Sequence, residues 1–206
     1  MSNDITLRLA TIADIPALRE LIRASALALS EGYYTAAQRD AAIEYVFGVD
    51  TALISDGTYF VAEAVSVIAG QKSRAICGCG GWSTRRTLFG GDQHKGAHDP
   101  QLDPRGDAAR IRAFFIAPTF ARQGIGARLL QACAHAAFTA GFVRLELMAT
   151  LPGVPLYRAY GFVETEQVVE RAPNGVEIPF VRMECALGSP TLPRTAVPRT
   201  VTPSGS

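Results

Sequence analysis

The 206-residue sequence has little net charge, no long apolar run and no pair of cysteines at metal-binding spacing. Its formal net charge of +1 excludes the basic surplus that a nucleic-acid surface requires to neutralise a run of phosphates. No stretch reaches the ~20 apolar residues that cross a bilayer, and the first residues lack the basic and apolar regions of a signal peptide. We therefore expect a cytoplasmic protein with neither nucleic acid nor membrane as partner.

Histidine and cysteine are sparse, which leaves few ligands for a metal ion. His94 and His98 are four residues apart, a spacing that places two ligands on one face of a helix. Residues 90–96 contain glycine and aspartate and indicate a solvated loop instead. We expect no metal, and we interpret the four cysteines as reduced packing residues. These are Cys77, Cys79, Cys133 and Cys185.

Hydrophobic periodicity predicts one α/β domain. Strands are predicted at residues 5–9, 58–65, 74–82, 109–116, 143–148, 162–170 and 178–187. Helices are predicted at residues 15–29, 124–140 and 155–160, with one more after Thr35, which forms a capping-box pattern with Gln38. The strand at 109–116, the helix at 124–140 and the strand at 143–148 should form a unit with two parallel strands.

Two segments lack periodicity. Residues 85–107 contain Gly, Asp, His and Pro and predict a long loop, which is uncommon in a compact domain unless the loop has a function. Residues 188–206 are rich in Pro, Ser and Thr and contain too little apolar surface to form a core. We therefore predict a folded domain at residues 1–187 and a disordered tail at 188–206.

The best candidate for a ligand site is the turn at residues 122–127, Arg-Gln-Gly-Ile-Gly-Ala. It follows an apolar strand and opens the helix, so free backbone N–H groups and the positive end of the helix dipole meet there. Gly124 and Gly126 let phosphate oxygens approach the backbone, and Arg122 and Arg128 can add positive charge. A plain turn would also use two glycines, so this pattern alone leaves both interpretations open.

The wider sequence resembles the GNAT acetyltransferase superfamily. Residues 114–118, Phe-Phe-Ile-Ala-Pro, followed by Ala-Arg-Gln-Gly-Ile-Gly-Ala at 121–127, are similar to the acyl-CoA motif of that family. Residues 156–162, Leu-Tyr-Arg-Ala-Tyr-Gly-Phe, resemble its downstream motif. Ala121 departs from the Gln or Arg that is usual there. The predicted order of elements matches the family over about residues 5–187.

The resemblance implies a fold and a cosubstrate. The fold is a mixed central sheet that is splayed at its middle strands and covered by helices on both faces, with acetyl-CoA in the gap. Phe115 and Ile116 would offer backbone groups to the pantetheine arm and the thioester. Arg122, Gln123, Gly124, Ile125, Gly126 and Ala127 would hold the pyrophosphate. Homodimers are common among such proteins, so a homodimer is an open expectation.

Acetyl transfer to an amine releases a thiolate, which a hydrogen-bond donor can stabilise. Tyr157 matches the position of the usual acid in the family, and simple ring packing is its alternative role. An unperturbed phenol, with a pKa of about 10, is a weaker acid than a thiol at about 8.5, so we expect a hydrogen bond rather than full proton transfer. The general base stays unassigned among Asp92, Asp107, Glu146, His94 and water.

The resemblance places the amine acceptor between the first two helices and the middle strands. Tyr33, Tyr34, Trp82 and Arg112 occupy those places and would suit an acceptor with an apolar body and a carboxylate. The alternative is that the aromatic residues are core and that Arg112 has a structural partner. The expected function is N-acetylation of a small-molecule or peptide amine, and the second hypothesis is a non-catalytic acyl-CoA sensor.

Overall fold

A seven-stranded mixed sheet is the framework of the protein in its computed structural model, which describes residues 4–68, 71–94 and 99–188. The strands are β1 (Asp4–Leu9), β2 (Tyr59–Ile68), β3 (Gln71–Ser83), β4 (Ala109–Ile116), β5 (Arg144–Thr150), β6 (Val163–Arg171) and β7 (Glu177–Ala186). Their order across the sheet is β1-β2-β3-β4-β5-β7-β6. All seven lie within a few residues of their predicted positions. As predicted, β4 and β5 are parallel, and the other neighbouring pairs are antiparallel.

Five α-helices accompany the described strands. They are α1 (Ile15–Leu29), α2 (Ala36–Ala41), α3 (Thr51–Ser55), α4 (Ile125–Thr139) and α5 (Val154–Tyr160). The capping box before α2 is present, because the Thr35 hydroxyl accepts from the Gln38 amide at 3.2 Å and the Gln38 side chain accepts from the Thr35 amide at 3.0 Å. A π-helical turn at Ala42–Val46 continues α2. We did not predict α3, whose five residues are too few to show a helical period.

Helices cover both faces of the sheet, as predicted. Leu18 and Ile22 of α1 pack with Tyr59 and Val61 of β2, whereas Leu129 of α4 packs with Ala62 and Ala64 of the same strand. Alternate residues of a strand point to opposite faces, so α1 and α4 lie on opposite sides of the sheet.

The sheet opens between its two parallel strands. β4 and β5 pair at three positions, Ala109↔Leu145, Arg110↔Glu146 and Ile111↔Leu147, and β4 then continues without β5 as a neighbour. A bulge follows on β4, where Ala113 has a φ of 56° and the register with β3 shifts. Gly80 faces the bulge, and a Cβ there would lie 2.7 Å from the Phe114 ring. The predicted splay at the middle strands is therefore present.

The described part of the 85–107 loop contains a short 3₁₀ turn at Asp92–His94 and a bridge between Arg85 and Gln101. His98 lies outside the described residues, as does the tail after Gly188. Among the residues described, no helix is long and apolar enough to cross a membrane.

Candidate active site

A cavity of about 620 Å³ occupies the gap between β4 and β5. Residues 111–116 of β4 form one wall, and Met148 and Thr150 of β5 contribute to another. Residues 122 and 124–127 of the glycine turn line the cavity, as does Tyr157 of α5, whereas Gln123 is not among the lining residues and its side chain donates to the Thr119 carbonyl at 3.2 Å. The splay thus brings the two sequence motifs, which are separated by a helix and a strand, to one site.

Free amides of the glycine turn border this cavity. Arg122 and Gly124 adopt left-handed conformations, with φ values of 63° and 79°, and α4 begins at Ile125. The first backbone hydrogen bond of α4 runs from the Arg128 amide to the Gly124 carbonyl at 3.1 Å. Among the described residues, no acceptor bonds the amides of residues 123–127. The turn therefore leaves these donors unused, in the arrangement that favours an anion at the start of a helix.

The side chains of the turn leave its backbone open. A Cβ at Gly124 would meet nothing within 4 Å, and Gly126 lies against Leu156, 3.0 Å from an added Cβ. Arg122 is exposed and lines the cavity. Arg128, in contrast, donates from Nη2 to the Ile5 carbonyl at 2.8 Å, so its guanidinium group lies at β1.

The backbone of β4 at the cavity has a partner that sequence patterns did not reveal. The Ile116 amide donates to the Ser25 hydroxyl of α1 at 3.3 Å, and both residues line the cavity. Ser25 is buried, and its position among the apolar residues of α1 is the only sign of this role in the sequence. The Phe115 ring packs edge-to-face on Phe47 at 5.6 Å.

Tyr157 is held by aromatic packing. Its ring makes edge-to-face contacts with Phe114 at 6.2 Å and with Phe162 at 5.8 Å, and 8% of its surface is exposed. The Tyr157 hydroxyl has no hydrogen-bond partner among the residues that the structure describes. Burial raises the pKa of Tyr157 well above the ordinary value of a phenol, so the hydroxyl stays protonated. A protonated, unpaired donor therefore borders the cavity.

Comparisons with known proteins agree with this arrangement. A family model described as an acetyltransferase (GNAT) domain matches residues 101–187, which include the glycine turn and Tyr157. A crystal structure of a GCN5-related N-acetyltransferase from Rhodopseudomonas palustris shares the fold with a TM-score of 0.61 at 18% identity, over 91% of this chain and 99% of that one. Residues 101–187 thus match a GNAT acetyltransferase domain, and the chain shares the fold of solved GNAT structures.

Other GNAT structures share the fold at similarly low identity. The structure of yncA, a putative acetyltransferase from Salmonella typhimurium with acetyl-CoA, has a TM-score of 0.55 at 18% identity and covers 92% of this chain and 98% of its own. The paia N-acetyltransferase from Thermoplasma acidophilum in complex with coenzyme A has a TM-score of 0.54 at 16% identity, with 89% and 99% covered. No curated protein matches the sequence.

The four residues predicted to bind the acceptor fall into two groups in this GNAT fold. Tyr33, which is half exposed, and Arg112 line the cavity. Tyr34 lies outside the cavity lining, where its hydroxyl donates to the Pro179 carbonyl at 2.8 Å and accepts from the Leu151 amide at 2.9 Å. Burial raises the pKa of Tyr34 to about 12. Trp82 packs in the main core, edge-to-face on Phe142 at 6.2 Å.

Arg112 has the structural partner that a buried charge requires. Its Nη2 atom lies 2.9 Å from Oδ2 of Asp50 and donates to the Gly90 carbonyl at 2.7 Å. The side chains of Arg112 and Asp50 are almost fully buried, with 1% and 0% of their surfaces exposed. Burial lowers the pKa of Arg112, while the charge of Asp50 opposes that shift. This pair joins β4 to the start of α3 and to the 85–107 loop.

None of the four candidate bases is among the described residues that line the cavity. Glu146 is buried on β5 and paired with Arg110 and Arg182. Asp92 accepts from the Thr51 amide at 3.0 Å, and Asp107 accepts from the Asp103 amide at 2.9 Å.

The His94 ring stacks on Phe89 at 4.7 Å and is not among the cavity-lining residues. Within residues 4–68, 71–94 and 99–188, no three potential ligands converge on a metal ion.

Proposed function

We propose that this protein is an N-acetyltransferase that moves the acetyl group of acetyl-CoA to the primary amine of a small molecule or peptide. One observation carries the proposal: a single cavity joins the unused amides of residues 124–127 to the unpaired hydroxyl of Tyr157. Acetyl-CoA requires an anion site at one end and a thiolate-stabilising donor at the other. The cavity contains both.

The turn is suited to a diphosphate. Several N–H groups at the start of α4 can donate to phosphate oxygens, and the helix dipole adds the equivalent of about half a positive charge. Arg122 supplies an exposed guanidinium beside them. From the turn, the pantetheine arm would follow β4 past Ile116, where Ser25 already engages the backbone amide.

Acetyl-CoA supplies an activated thioester. A neutral amine attacks its carbonyl carbon, so that a C–N bond forms, the C–S bond breaks and the thiolate leaves. Tyr157 donates a hydrogen bond to the developing thiolate, which then takes its proton from solvent. The amine loses its own proton to solvent as well. Because the raised pKa of Tyr157 exceeds that of a thiol, Tyr157 acts as a hydrogen-bond donor and keeps its proton.

A non-catalytic acyl-CoA sensor is the second candidate. It is favoured by the engagement of Glu146, a buried carboxylate of β5, with two arginines rather than with the transfer site. A sensor needs the anion site but no path for a proton.

Release of free thiol from acetyl-CoA, followed with a panel of primary amines, tests the proposal. We expect at least one amine to raise the rate above the background hydrolysis of acetyl-CoA. Calorimetry with coenzyme A is the companion measurement. Tight binding without stimulation by any amine would favour the sensor, and absence of binding would contradict both functions.

A further inference from the structure

Four phenylalanine rings form a continuous row along the cavity. The Phe47 ring lies 5.6 Å from Phe115 and 6.3 Å from Phe180, in edge-to-face contacts with both. The Phe89 ring continues the row, 5.5 Å from Phe180. All four residues line the cavity, and we call them the aromatic wall.

The aromatic wall is assembled from distant parts of the chain. Phe47 follows the π-helical turn, Phe89 comes from the 85–107 loop, Phe115 from β4 and Phe180 from β7. Phe47, Phe89 and Phe115 keep part of their surface exposed. Rings that serve only the core are covered by protein, whereas these leave a face or an edge toward the cavity. That arrangement suits a ligand that stacks on aromatic rings or contacts their edges.

Charge at the cavity argues against a polycationic ligand. Among the described residues that line it, the charged side chains are Arg112 and Arg122, which are both cations. Asp50 and the Gly90 carbonyl engage Nη2 of Arg112, whereas its Nε and Nη1 atoms are buried without a hydrogen-bond partner among the described residues. A spermidine-like amine needs carboxylates for its several positive charges, and none is among the described residues that line the cavity.

Arg112 instead fixes the position of the aromatic wall. Its bond to the Gly90 carbonyl, 2.7 Å long, holds the residue next to Phe89 against β4. Because Arg112 is itself locked by Asp50, the Phe89 ring stays in contact with Phe180. The 85–107 loop, which follows β3, therefore holds the Phe89 ring at a fixed position beside the cavity.

We propose that the acceptor is a primary amine carried by a short chain on an aromatic ring, with no second positive charge. This inference rests on the proposed function, because it names the class of amine that the same cavity takes. The ring of the acceptor packs on Phe89 and Phe47, which keep part of their surface exposed, and its amine points along Phe115 toward the thioester.

Comparison of four probe amines tests the class: 2-phenylethylamine, 2-cyclohexylethylamine, n-butylamine and spermidine. We expect kcat/KM to be highest for 2-phenylethylamine and at least about ten-fold above n-butylamine, since a buried ring adds apolar area and edge-to-face contacts. The cyclohexyl probe has similar size without π electrons, and its kcat/KM should be about three-fold or more below that of 2-phenylethylamine.

Two variants locate the effect in the aromatic wall. Phe89→Ala should lower the preference for 2-phenylethylamine over n-butylamine by about five-fold or more, with KM for acetyl-CoA within about two-fold of wild type. Phe120→Ala is the matched control, because Phe120 also lines the cavity but belongs to the 3₁₀ turn before residue 122. It should leave the preference between the two amines unchanged.

Calorimetry of 2-phenylethylamine binding to the protein saturated with coenzyme A distinguishes failure of the aromatic-acceptor inference from failure of the proposed acetyl transfer. Binding that Phe89→Ala weakens supports the aromatic acceptor even without turnover. Faster turnover of spermidine or n-butylamine than of 2-phenylethylamine would overturn the inference and leave acetyl transfer standing. An unchanged preference in Phe89→Ala would also overturn it.

Discussion

Tyr157 combines two properties that a single residue rarely has. Its ring is enclosed by Phe114 and Phe162, which fixes its position, and its hydroxyl has no described partner and borders the cavity. A buried hydroxyl without a partner costs stability, so the removal of this hydroxyl should be tolerated by the fold. The activity of Tyr157 can therefore be separated from its packing.

Tyr157→Phe should lower kcat about 10- to 100-fold, because the ring stays in place while the donor to the thiolate is lost. The affinity for coenzyme A should stay within about two-fold, since the phosphate site is elsewhere. Thiol release and calorimetry measure the two quantities. In wild type, the raised pKa keeps the hydroxyl protonated, so Tyr157 should cause no loss of rate as pH rises from about 7 to 9. An unchanged kcat in the variant would remove Tyr157 from the mechanism.

At the scale of elements, the start of α4 is the part to which we assign the pyrophosphate of acetyl-CoA. Gly124 is left-handed, with φ at 79°, and an added Cβ would point into open space. Gly175, in the turn between β6 and β7, has nearly the same conformation, with φ at 83° and the same open surroundings. The two glycines thus have similar φ values and open surroundings, and they differ in the part of the protein surface on which they lie.

Gly124→Ala and Gly175→Ala should each lower the free energy of unfolding by about 1 kcal/mol, because an L-residue is strained in the left-handed region. We expect only Gly124→Ala to weaken coenzyme A binding, by about ten-fold or more, since its methyl group would meet the phosphates. Urea unfolding and calorimetry check the two effects. Equal coenzyme A affinity in both variants would contradict the placement of the pyrophosphate.

For the whole molecule, an ionic cluster at the edge of the sheet joins β1, β2 and the start of α1. Arg8 lies 2.8 Å from Asp14 and 2.7 Å from Glu63. Hydrogen bonds from Arg8 hold the pKa of Asp14 down to about 2 and lower the pKa of Glu63. A carboxylate whose pKa is lower in the folded state stabilises the fold above its unfolded pKa, and this stabilisation is lost as pH falls through the folded pKa.

Asp14→Asn should therefore lower the free energy of unfolding at pH 7 by about 1 kcal/mol, after allowance for the partial exposure of Arg8. Between about pH 4 and pH 2 the difference from wild type should shrink, because wild-type Asp14 is then protonated. Urea unfolding at several pH values measures this. Asp103→Asn is the control, since Asp103 pairs with Arg105 at an exposed site and its loss should not change stability measurably. A constant difference at all pH values would contradict the assignment.

Local patterns of the sequence determined most of the elements. The 3.6-residue period of α1 and α4, the capping box at Thr35 and the glycine turn at residues 122–127 each act within a few residues, so they can be read before folding. The same applies to the seven strands. The short helix α3 and the π-helical turn after α2 could not be predicted, because five residues do not establish a period.

Only the tertiary structure decided which of these elements meet. It placed β7 between β5 and β6, put Tyr34 and Trp82 in packed surroundings, and gave Arg112 its partner in Asp50. The physical reason is that such contacts depend on the packing of the whole core, whose free energy no short segment contains. The sequence by itself determined a glycine turn at the start of a helix on an α/β frame, and packing determined the cavity and aromatic wall that face it.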